Sequence, residues 1–88
     1  MSEISGSIYD TIVEEYPGEE ILVLAGYNDA IVGFDDVGMR VIYSEQKILD
    51  ILVSEGESYV DAMEHYYFNI KGSYVGERTP IFMVCSFE

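Results

Sequence analysis

Ile8, Ile12, Val13 and Tyr16 recur at the spacing of one helical face. Ser7 with Asp10 three residues on has the form of a capping box, Asp standing where Glu is usual. Pro17-Gly18 then stops the run. Residues 1–6 are small and polar and predict a frayed end. EEILVLA, residues 19–25, is a short apolar run between turn residues, which predicts a buried strand. AIVGF at 30–34 and MRVIY at 39–43 read as two more strands, joined by turns at Gly26–Asp29 and Asp35–Gly38. Gly33 inside the second run marks a bulge or a close backbone approach. Ser44 caps a helix, EQKILDILVSE, that Gly56 ends. Ser58 with Asp61 opens another, with Tyr59, Ala62, Met63, Tyr66, Tyr67 and Ile70 as its apolar set. Ile81 to Phe87 is apolar on both faces and predicts an inner strand. This order predicts one α+β domain over residues 1–88. Its sheet has four mainly antiparallel strands in the order 4-1-2-3. The sheet packs on two helices, with a short N-terminal helix beside it.

Between the last helix and the closing strand lies NIKGSYVGERTP, residues 69–80. Connections of that length usually have a reason. The functional reading is a binding loop built on Asn69, Tyr74, Gly76, Glu77 and Thr79, with glycines that let a partner approach the backbone. The plainer reading is a helix-to-strand link. There Asn69 ends the helix, glycine supplies positive φ, and Pro80 holds Thr79 extended.

Composition narrows the functions. Seventeen acidic residues face four basic ones, for a net charge of −13. Such a body repels polyanions, so direct binding to nucleic acid or to an anionic membrane is excluded as an expectation. Cys85 is the only cysteine. It predicts no disulfide and no cysteine zinc site, and its apolar setting predicts an inert, buried thiol. No apolar run approaches the roughly 20 residues that span a bilayer. No basic n-region opens the chain, so a signal peptide is not expected and a cytoplasmic protein is.

Catalytic motifs are thin. His65 stands alone, without the partners that a zinc or acid–base site needs. Asp29, Asp35 and Asp36 are turn residues, which usually bond their own backbone. Ser44 and Lys47 form S-x-x-K, here a cap followed by a surface lysine. No phosphate loop or dinucleotide fingerprint is present. No nucleophile–base pair is visible, so an enzyme, a metal and a cofactor are not expected.

The strings LAGYNDAIVG and VIYSEQKILDILVSEGESYVDAMEHYYFNIKGSYVGERTPIF resemble a small protein family common in tailed bacteriophages and prophages. The resemblance covers roughly Leu22 to Phe82. Its most specific part is an aromatic before Asn69, then Gly72, Tyr74, Val75, Gly76, Glu77, Thr79, Pro80 and Phe82. Gly26, Ala30 and Gly33 match an early glycine pattern. Ala25, where the family has an acidic residue, departs from it, as does Asn28, and Arg78 falls at a variable place. The resemblance implies phage origin, and that family carries no assigned activity.

The expectation is a non-enzymatic phage accessory protein in the host cytoplasm that binds a host macromolecule. Its sharper form is an acidic nucleic-acid mimic that inhibits a host nucleic-acid-binding defence protein. It would use Asp35, Asp36, Glu55 and Glu57 where phosphates would sit. The alternative is a small-ligand or nucleotide sponge using the 69–80 loop. The sequence leaves the oligomeric state open, a homodimer included.

Overall fold

Ser44 ends a strand and starts a helix, and much of the fold follows from that junction. The computed structural model describes residues 8–72 and 76–84. The frayed end expected for residues 1–6, the Ser7 cap, Tyr74, Val75 and the Cys85 thiol lie outside the described residues. Helix α1 is Ile8–Glu15. Strands β1, Ile31–Asp35, and β2, Arg40–Ser44, form an antiparallel hairpin. Helices α2, Glu45–Ser54, and α3, Tyr59–His65, follow, and α3 continues into a π-helical turn, Tyr66–Ile70. Strand β3, Ile81–Met83, pairs with β2 in parallel.

Local chemistry explains the helix ends. The Ser44 hydroxyl accepts from the Lys47 N–H at 3.2 Å, and Ser58 does the same for Asp61 at 3.1 Å. Each satisfies an amide that the first helical turn leaves open. Gly56, at φ +111°, lets the chain leave α2 while Glu57 N–H bonds back to Leu52. In the hairpin turn the Asp35 carboxylate accepts from Val37 and Gly38 N–H at 3.1 and 3.2 Å. Between Ile31 and Gly33 the register slips, so the expected bulge is there.

The α+β class therefore stands, but the sheet differs from the expected one. Among the described residues it has three strands, ordered β1-β2-β3, and is mixed. Residues Glu19–Ala25 form no strand. Two backbone groups there find side-chain partners in place of a ladder. Leu24 N–H donates to the Tyr43 hydroxyl at 2.7 Å, and Arg78 donates to the Glu20 carbonyl at 2.9 Å. Ile21, Val23 and Leu24 still pack on the core, but they are half-buried and unpaired where a buried strand is expected. Among the described residues the closing strand, expected over 81–87 as an inner strand beside the first, is Ile81–Met83 at the sheet's edge, with Met83 and Val84 exposed. Its parallel direction follows from the two-helix crossover that precedes it.

The central strand β2 carries the core. Val41 and Tyr43 are fully buried, with Ile48 and Leu52 of α2 and Ala62 and Tyr66 from the α3 side. From α1 only Ile12 is buried. Ile8 and Val13 face outward, and Tyr16 leans on Phe34 at a ring distance of 5.0 Å.

Candidate docking surface

Helix α3 and its π turn carry two apolar stripes. Ala62, Tyr66 and Ile70 are buried at a spacing of four. Around the helix from them, Val60, Met63, Tyr67 and Phe68, with Glu64, line an open groove of about 380 Å³. Phe68 is 78% exposed and Val60 65%.

The π turn helps to build this face. Lys71 N–H bonds to the Tyr66 carbonyl five residues back, at 2.7 Å. The wider turn keeps Tyr66 and Ile70 inward and leaves Tyr67, Phe68 and Asn69 together outside. Tyr67 is held in place. Its ring meets Tyr66 edge-on at 5.2 Å, and Lys71 Nζ lies 4.9 Å from its centroid. Lys71 is itself 3.4 Å from a Glu45 carboxylate oxygen. Tyr66 packs edge-on against Phe82, which stacks on Tyr43. An unbroken aromatic path thus joins the groove to the central strand, and a prearranged anchor loses little freedom on binding.

Three tyrosines have pKa values raised above the ordinary 10.0. Burial is the main cause at Tyr43, against which the Leu24 hydrogen bond works. Burial raises Tyr27 as well, helped by Glu55 and Glu57. At Tyr66 burial comes first and the Glu45 carboxylate second. Among the described residues the Tyr66 hydroxyl has no hydrogen-bond partner of good geometry. Below pH 10 these phenols are neutral in folded and unfolded chains alike. Above it the unfolded chain loses protons that the folded one keeps, so stability falls as pH rises. The slope is about 1.4 kcal/mol per pH unit for each phenol held neutral. Tyr66→Phe should leave stability at pH 7 unchanged or raise it by up to about 1 kcal/mol. It should also flatten the alkaline fall by one proton's share. Denaturation midpoints of both proteins between pH 8 and 11.5 measure this, and parallel slopes would show that Tyr66 ionises freely in the fold.

The residues expected to form a binding loop divide. Asn69 and Glu77 are exposed, Asn69 directly beside Phe68. Gly76 has φ +121°, as a turn glycine should. Thr79 is a tie in the structure. Its hydroxyl donates to the Gly76 carbonyl at 2.6 Å, and its own carbonyl accepts from Arg40 Nε at 2.7 Å. Arg78 reaches Glu19 at 3.2 Å, so the loop also fastens the irregular 19–25 segment.

The acidic set divides too. Asp36 and Glu55 are exposed. Asp35 is half-buried and holds the hairpin turn, so it is not the free surface group expected of it. Glu57 sits 3.0 Å from His65 Nδ1. Glu55 and Glu57 act on Tyr27, which precedes β1, whereas Asp35 and Asp36 sit at the turn that ends it. Among the described residues no three metal-binding side chains come together, and no helix is long and apolar enough to cross a membrane.

The apolar groove was not expected. The sequence groups Met63 and Tyr67 with Ala62, Tyr66 and Ile70 in one apolar set and places an aromatic before Asn69 in the resemblance, but it does not mark Val60, Met63, Tyr67 and Phe68 as one surface. The signal was present as a second stripe, Val60, Met63, Tyr67, offset from Ala62, Tyr66, Ile70. No protein-family profile, curated protein or solved structure matches the chain.

Proposed function

We propose that this protein is a non-enzymatic accessory protein of phage origin that binds a host protein in the host cytoplasm, and that the open face of α3 and its π turn is the contact. The observation that carries this reading is that face: a second apolar stripe, set on a braced aromatic, on a helix whose first stripe already fills the core. Groups of exposed apolar side chains rimmed by charge mark interaction surfaces. The charge of −13 adds direction, because it draws the protein toward basic surfaces. A nucleic-acid-binding host protein has such a surface, which is where the mimic reading enters.

Asp36 tests the electrostatic part with little risk to the fold, because it is exposed whereas Asp35 holds the turn. Asp36→Lys should slow association several-fold and flatten its salt dependence, with no change in melting. Affinity capture from bacterial lysate at low and moderate salt, with protein and small-molecule fractions analysed, tests the whole. The expected result is a protein retained by the wild type, released more readily by Asp36→Lys, and lost with Phe68→Ser. A nucleotide retained instead, with Phe68→Ser indifferent, would replace this reading by the ligand sponge of the 69–80 loop.

A further inference from the structure

We infer that the groove on α3 takes a cationic amphipathic helix of the partner. This rests on the docking reading above and adds the partner's chemistry. Length is the first argument. From Val60 to Phe68 the face runs eight helical steps, about 12 Å. A partner helix with apolar side chains at i, i+3 or i+4, and i+7 presents anchors over about 10.5 Å, which matches. The groove itself is built of side chains at that same spacing, so two helices can interleave along it. Met63 at its middle adapts to the shape of the incoming side chain.

Charge selects among occupants. Glu64 lines the groove and Asp61 is exposed beside it. Lys71, the cation at the far end, is already drawn to Glu45 and Tyr67. An incoming helix therefore meets carboxylates along its flank, and Lys or Arg there completes the contact while its stem covers the apolar floor. A second copy of this chain brings another −13 and the same acidic rim, so the face repels itself. An anionic bilayer is repelled likewise.

The probe is a labelled 14-residue peptide of leucine and lysine, with leucine at i, i+3, i+4 and i+7. Two controls go with it: a scrambled peptide of the same composition, and a twin with glutamate in place of lysine. Anisotropy against the full chain should show the amphipathic cationic peptide binding at least tenfold more tightly than either control. Phe68→Ser should weaken it by about ten- to a hundredfold, the loss expected for one buried aromatic anchor. Glu64→Lys should weaken it several-fold and reduce its salt dependence. Both positions are exposed, so both variants should melt like the wild type. Equal binding of the scrambled peptide, or indifference to Phe68→Ser, overturns the inference by reducing it to bulk charge attraction. Self-association of the wild type that Phe68→Ser abolishes overturns it in favour of a second copy. If the peptide fails while a lysate protein is still captured through Phe68, the helix inference falls alone. If both fail, the docking reading falls with it.

Discussion

Tyr43→Ala should cost on the order of 3–5 kcal/mol, a large part of the stability available to a chain of this size. Three roles meet in that one side chain. It is fully buried in the central strand, it stacks on Phe82 of the neighbouring strand at 5.9 Å, and its hydroxyl accepts from Leu24 N–H. Truncation opens a cavity in the core, and it removes the Leu24 anchor of the 19–25 segment while Arg78 still holds Glu20. Tyr43→Phe separates the roles. It keeps the ring and orphans the Leu24 amide, which should cost about 1–3 kcal/mol. Denaturant unfolding of the two variants gives both numbers. A loss below 1 kcal/mol for the alanine variant would mean that the central strand does not carry the core.

Gly76→Val should be the second costly change, at about 2–3 kcal/mol. At φ +121° an L side chain is strained whatever the space around it, and a β-branched one most of all. Among the described residues, its chain neighbours aside, no atom lies within 4 Å of the position a Cβ would take, so the cost is conformational and not a clash. That makes the control sharp. At Gly33 an added Cβ would meet Ile42 Cδ1 at an ordinary 3.6 Å with no unusual φ. Gly33→Ala should therefore cost well under 1 kcal/mol. Thermal melts of both variants decide it: equal losses would mean that Gly76 does not need its positive φ.

Features set by a few neighbouring residues were legible in the sequence. Ser44 and Ser58 cap helices because a hydroxyl three residues before an open amide is local chemistry. Gly56 and the Gly33 bulge are likewise local. What failed was non-local. EEILVLA has the composition of a strand, and nothing in it says that Tyr43 and Arg78 would take its backbone groups. The parallel pairing of Ile42 with Ile81 depends on how two helices cross the sheet. As for the candidate site, Asn69 and Glu77 are exposed, and Thr79 is half-buried with its hydroxyl on the Gly76 carbonyl. The groove escaped because Met63 and Tyr67 suit a core equally well, and only the position of α2 and the sheet decides which stripe of α3 is covered.

The parallel pairing of β2 with β3 also has a consequence for how the chain reaches its fold. The hairpin and both helices are made of near neighbours and can form quickly. The outer edge of β2 finds its partner only after the whole crossover is in place. Until then Ile42, Tyr43 and Ser44 lie along an unpaired edge, the kind of template that recruits strands from other chains. Mutual repulsion between chains of charge −13 keeps two such intermediates apart during that interval. Refolding yield should accordingly fall in high salt at high protein concentration, under conditions where the finished fold is untouched.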